Sequence, residues 1–211
     1  EILAAGDGYA AGQGMAGQKI GVEFGSPNTN KPLHIGHLRN LSVGGAVANL
    51  LENLGASVTR FEILNDRGIH ICKSALAYKK WGNGQTPQST GQKPDIFVGK
   101  FYVLFNEHFE AELKEWSAKN GPIDKQEFFN KHSSLGAEAK ELLQKWEAGD
   151  AEARYLVDEV MNAWATEGID QTYEDFGVRV DHRDFEHETY SLGKKELLEA
   201  VERGVLQKDA E

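Results

Sequence analysis

The spacing of apolar positions changes character several times along the chain. In "KIGVEF", Lys19 to Phe24, the residues Ile20, Val22 and Phe24 recur at period two, which predicts a buried strand. Gly25, Ser26 and Pro27 stop it. From about Gly36 to Leu54 the period becomes helical. Val47, Leu50, Leu51 and Leu54 fall on one face, and Gly55 follows at a C′ position. "VTRFEIL", Val58 to Leu64, alternates again and predicts a second strand, with a helix from near Gly68 towards Trp81. Strand, helix, strand, helix in this order is the start of an open, parallel α/β sheet.

Beyond this the pattern shifts. Gly82 to Asp95 is polar and rich in turn residues, and marks a boundary. Val98 to Glu167 is mostly helical and charged, with stripes of Phe, Leu, Trp and Val that read as core. "VRVDHRDFEHETY", Val178 to Tyr190, alternates like a strand, and "GKKELLEAVERG" is a short helix closing at Gly204. The expected organisation is a Gly- and Ala-rich linker or loop over 1–18 and a first nucleotide-fold segment over 19–82. A mainly helical insertion over 83–177 and a closing strand-and-helix segment over 178–211 complete it. Gly12, Gly14 and Gly17 imitate a dinucleotide fingerprint. They precede the first strand instead of following it, so that reading fails.

Composition narrows the partners. The 211 residues are 40% hydrophobic and 27% charged, ordinary for a globular protein, and no apolar run approaches the ~18 residues of a membrane span. No secretory signal opens the chain; it begins at Glu1, as a piece of a longer protein would. The single cysteine, Cys72, reads as a small core residue and fits a reducing, cytoplasmic setting. The net charge is −10, and the excess lies in Glu110 to Glu211. A surface of that sign supplies few phosphate contacts to an RNA partner.

The candidate chemistry sits in "SPNTNKPLHIGHLRN", Ser26 to Asn40. His34 and His37 admit three readings. As metal ligands they lack a third donor at a recognised spacing. As helix-start residues they cap and solvate the helix. As anion ligands they stand beside unpaired N–H groups at the positive end of a helix dipole, at the carboxyl end of a parallel strand. Gly36 would let a nucleotide approach the backbone closely. Asn28, Lys31 and Pro32 share the loop.

His-x-Gly-His after a first strand resembles the signature of class I aminoacyl-tRNA synthetases. The longer run "VEFGSPNTNKPLHIGHLRN" resembles the arginyl-tRNA synthetase family closely, and the likeness continues through "LGASVTRFEILNDRG", "WEAGDAEAR" and "DFEHETYSLGK". The resemblance implies a partial Rossmann-like parallel sheet of the class I synthetase (HUP) type with a mainly helical insertion. It implies ATP-dependent activation of L-arginine to arginyl-adenylate and transfer to tRNA(Arg). The catalytic positions it carries over are His34, Gly36 and His37, and the ATP side adds Lys31 and Pro32. Arginine falls to Glu23, Ser26, Asn28 and Asp66. A carboxylate suits a guanidinium because it accepts two parallel N–H bonds. Mg2+ is expected only with ATP, and no structural metal is expected. The implied setting is a cytoplasmic monomer with no membrane contact.

Read from the residues alone, Glu23 could instead lean into solvent or pair with a lysine. Ser26 and Asn28 could serve the turn at Pro27, Lys31 could be a solvated loop residue, and Asp66 could cap the next helix. At "NDRG", Asn65 and Arg67 depart from the commoner Gly-Asp-Trp-Gly, and His70 stands where many relatives carry Gln. Gly44 and Gly45 are expected to allow close packing against the first strand. The lysine-rich loop that clamps ATP phosphates in the family has no counterpart here. The expectation is an incomplete catalytic domain, inactive alone. The alternatives are another class I synthetase or a nucleotidylyltransferase, or a synthetase-like module without catalysis.

Overall fold

Three parallel strands, β1 (Lys19–Glu23), β2 (Ser57–Leu64) and β3 (His182–Phe185), form one open sheet in the order β1-β2-β3. The computed structural model describes residues 2–9 and 11–208. In chain order the helices are α1 (Ile2–Ala5), α2 (Ile35–Asn53), α3 (Ile69–Trp81), α4 (Pro87–Thr90), α5 (Pro94–Asn120), α6 (Lys125–Lys131), α7 (Ser134–Glu147), α8 (Ala151–Arg154), α9 (Ala163–Phe176) and α10 (Glu186–Glu202). A π-helical stretch, Tyr155–Asn162, joins α8 to α9 without a break.

The chain divides into two compact units. One comprises residues 1–27, 34–65 and 174–211, and the other 28–33 and 66–173. The first holds the sheet, α2 and α10. The second holds the helices from α3 to α9.

In the sheet unit, α2 presents an unexpected face. Of the predicted stripe, Val47, Leu50 and Leu54 are exposed and Leu51 is half-buried, whereas Leu41, Gly44 and Ala48 are the buried positions. The cause is contact distance. A Cβ on Gly44 would stand 2.3 Å from Phe24 Cγ, so only glycine lets the helix come this close to the strand end. Gly45, the next residue, has nothing within 4 Å of its absent Cβ, and close packing does not explain it. Gly55 takes φ +93° just after the helix, as its C′ position requires. β1 alternates as its pattern predicts, with Lys19, Gly21 and Glu23 exposed, Ile20 and Val22 half-buried and Phe24 buried.

Two other expectations change. The segment read as a strand over Val178 to Tyr190 pairs for only four residues. At Glu186 it becomes α10, whose first turn carries Glu186 and Glu188 at the favourable end of the dipole. Residues 1–18 are not all loop. Gly12 N–H donates to Asn53 O at 2.7 Å and Met15 N–H to Leu54 O at 2.9 Å, tying this segment to the end of α2.

The helical unit has an aromatic core. Phe97, Phe101 and Phe105 of α5 pack with Phe128, Trp146, Val157 and Met161. α3 joins this core through Ile71, Cys72, Ala75 and Leu76. The packing boundary therefore falls before α3, whereas the sequence boundary was drawn near Gly82, because α3 buries its apolar face among these helices. Ala153, Val157, Met161, Ala165 and Ile169 are all buried at a strict spacing of four. A pure α-helix would rotate such a stripe by about 40° per step. The wider π turn opposes that drift and keeps the stripe on the core.

Candidate functional site

The sequence-derived site residues divide between the units. Glu23, Ser26, His34, Gly36 and His37 belong to the sheet unit, and Asn28, Lys31, Pro32 and Asp66 to the helical one.

In the sheet unit, β1 ends at Glu23 and the chain turns sharply. Ser26 has φ +47°, a left-handed conformation uncommon for serine. Local bonds hold it there. Ile63 N–H donates to Ser26 Oγ at 3.2 Å, Ser26 Oγ donates to Glu23 Oε1 at 3.3 Å, and Asn65 Nδ2 donates to Ser26 O at 2.9 Å. Asn65 N–H also donates to Pro27 O at 3.0 Å. Asn65, which departs from the commoner family residue, thus clamps the loop through its side chain and backbone. Gly25 N–H donates to Asn40 Oδ1 at 2.6 Å, so the last residue of the histidine run fastens the same turn to α2.

The two histidines form a reciprocal cap on α2. His34 is the N-cap residue, and its Nδ1 accepts from Gly36 N–H at 3.1 Å. His37 Nδ1 accepts from His34 N–H at 3.0 Å, and the ring centroids lie 3.9 Å apart. A neutral imidazole that accepts at Nδ1 carries its proton at Nε2. Both residues are therefore set as Nε2–H donors at the positive end of a 19-residue helix. A Cβ on Gly36 would stand 2.9 Å from His34 Cε1, so glycine makes room for the capping ring. The capping and anion-binding readings are compatible, because capping uses Nδ1 and the donor is the other ring nitrogen, Nε2.

In the helical unit, Pro32 packs on α5, where a Cβ at Gly99 would stand 2.5 Å from Pro32 Cδ. Asp66 is 2% exposed, and its carbonyl accepts from Asn162 Nδ2 at 2.9 Å. Arg67, the second departure at "NDRG", pairs with Glu147 of α7. His70 Nδ1 lies 3.2 Å from Tyr102 Oη. Burial, then the positive charges of Lys73 and Lys31, holds His70 below its usual pKa and favours the neutral ring. Burial pushes the Cys72 thiol up to about 12, which leaves it an inert core residue. Sequence reasoning missed Asn40, Asn65 and Asn162 as anchors, since no period or motif records which distant carbonyl or amide they meet.

A parallel sheet whose first strand runs through a pinned loop into a doubly histidine-capped helix is an open α/β nucleotide fold, and the family comparison makes it that of a class I aminoacyl-tRNA synthetase. The family described as "tRNA synthetases class I (R), catalytic domain" matches residues 1–207. The chain belongs to this family. The arginine–tRNA ligase of Bacteroides thetaiotaomicron is 50% identical over 183 residues, which cover 87% of this chain and 30% of that protein. The arginine–tRNA ligase of Treponema denticola is 41% identical over 209 residues, 99% of this chain and 32% of that protein. The structure of Thermus thermophilus arginyl-tRNA synthetase matches the fold with a TM-score of 0.66 at 21% identity, over 92% of this chain and 28% of that one. The chain thus spans about a third of the length of the curated relatives it matches. Among the described residues no helix is long and apolar enough to cross a membrane.

Proposed function

We propose that this chain is the nucleotide-binding part of an arginine–tRNA ligase. In the reaction the carboxylate of L-arginine attacks the α-phosphorus of ATP in line, and pyrophosphate leaves. The arginyl group then passes from the adenylate to a terminal ribose hydroxyl of tRNA(Arg), and AMP leaves. No covalent bond to the protein forms. The protein contributes alignment and charge stabilisation.

The observation that carries this reading is the reciprocal cap of His34 and His37 at the head of α2, in a chain of this family. Two Nε2–H donors beside a helix N-terminus suit the oxygens of a transferring phosphoryl group, and Gly36 allows that geometry. Lys31 and Pro32 act on the ATP side, with Mg2+ arriving as part of the ATP complex. Glu23 receives the guanidinium. Its carboxylate is exposed and has acceptor sites beyond the single bond from Ser26. Ser26, Asn28 and Asp66 take the polar groups of the amino acid. The working protein is cytoplasmic and monomeric.

The test is arginine-dependent exchange of pyrophosphate into ATP by the full-length protein that contains this chain, with tRNA present and other amino acids as controls. Exchange supported by arginine and not by citrulline or lysine is expected. A Glu23→Gln variant that prefers arginine over citrulline as strongly as before removes the role of Glu23. Absence of arginine-dependent exchange overturns the reading.

A further inference from the structure

We infer that Asn162 is a positioning residue that ties the two loops bearing Asn28 and Asp66 to each other through its side-chain amide. Its Oδ1 accepts from Thr29 Oγ1 at 2.6 Å, and its Nδ2 donates to Asp66 O at 2.9 Å. All three residues lie in the helical unit and are buried, with Thr29 1%, Asp66 2% and Asn162 6% exposed. Thr29 follows Asn28 directly, so one amide joins a side chain of the first loop to the backbone of the second.

The site of the amide is part of the case. Asn162 is the last residue of the π-helical stretch Tyr155–Asn162, beside the buried Met161. Single π turns within α-helices recur at functional positions because they re-aim a side chain without ending the helix. A polar side chain here is costly unless both ends of its amide are satisfied, and both are. Hydrophobic residues could fill the same volume, but they would not fix the separation of two loops. Neither Thr29 nor Asn162 contacts the reacting groups in the proposed reaction. Their effect passes through Asn28 and Asp66.

This inference rests on the proposed arginine roles of Asn28 and Asp66, and the experiment separates the two. In the full-length protein, Thr29→Val removes the hydroxyl at nearly constant volume and leaves the Asn162 oxygen without a donor. Thr29→Ser keeps the hydroxyl. Asn162→Asp keeps the acceptor and loses the donor to Asp66. The expected result is a rise of about tenfold in KM for arginine with Thr29→Val and Asn162→Asp. KM for ATP stays within about twofold, and Thr29→Ser behaves as wild type. A fall in kcat with both KM values unchanged indicates only a smaller folded fraction and overturns the inference. Amide hydrogen exchange on the same proteins supplies the second readout, with faster exchange in 28–33 and 66–68 expected for Thr29→Val. If wild-type protein shows no arginine-dependent exchange of pyrophosphate, the functional reading fails. The tie between the loops then stands or falls on hydrogen exchange alone, and unchanged rates in both segments overturn it.

Discussion

Glu62 and Arg183 are register partners on neighbouring parallel strands, and they also form a part-buried ion pair. Glu62 is fully buried, and Arg183 donates to its Oε1 from Nε and Nη2, each at 2.7 Å. The pair therefore specifies which residue of β3 lies beside which residue of β2, since a slipped register would bury the carboxylate without this guanidinium. Arg183→Leu is expected to destabilise the chain by about 3–5 kcal/mol, because it takes the guanidinium away from a buried carboxylate. The Glu62→Leu, Arg183→Leu double variant is expected to recover most of that loss. Urea unfolding of the three proteins measures it, and equal losses in the single and double variants would count against the pair.

Gly44 and Gly45 are adjacent in α2 and predict opposite outcomes. Gly44→Ala forces a methyl into the Phe24 ring and is expected to cost about 1–3 kcal/mol. Gly45→Ala meets nothing and is expected to gain up to about 1 kcal/mol of helix propensity. Thermal melts that shift in the same direction for both would refute the packing account.

Stability should fall in acid through Glu52. Its carboxylate receives two 2.7 Å bonds from Arg60, with Arg179 adding a third at 3.1 Å. The Arg60 guanidinium, above all, lowers its pKa from 4.5 to about 2. A carboxyl with a depressed folded-state pKa stabilises the fold above its unfolded value, and that contribution drains away as pH drops through the folded one. The decline is expected between pH 4.5 and about 2. Glu52→Gln should flatten this part of the pH profile and lower stability at pH 7. Asp181, which accepts from Arg60 N–H at 2.9 Å, keeps its own pairing with Arg179 in that variant.

His34 has two separable roles. Asparagine is a good N-cap residue but lacks the imidazole donor, whereas alanine lacks both. His34→Asn in the full-length protein is expected to melt near wild type and lose roughly 10²–10³ in arginine-dependent pyrophosphate exchange. His34→Ala is expected to lose that activity and also about 1 kcal/mol of stability. Wild-type exchange rates in His34→Asn would remove the phosphoryl role.

Much of the fold was legible because strands and helices write their periods into the chain. β2 and α3 lie where alternation and helical spacing put them, and Gly55 marks the end of α2. Faces were harder to read than elements. Val47, Leu50 and Leu54 make a good apolar stripe, yet the strand lies against Leu41, Gly44 and Ala48. Close approach through glycine outweighed the larger side chains, and apolarity alone does not reveal that choice. The strand alternation of Val178 to Tyr190 failed for a related reason. Pairing with β2 lasts four residues, and acidic residues then favour a helix start.

The sequence by itself determined the order β1, α2, β2 and α3 and the histidine run at the head of α2, since each depends on residues close together in the chain, whereas the pairing of β2 with β3 joins residues 121 positions apart. Only the tertiary structure showed that His34 and His37 cap each other's backbone through Nδ1. It alone showed that Asn65 pins Ser26, and that Asn162 spans 133 positions to reach Thr29. A hydrogen bond is set by distance and angle within a few tenths of an ångström, and sequence separation carries no information about either.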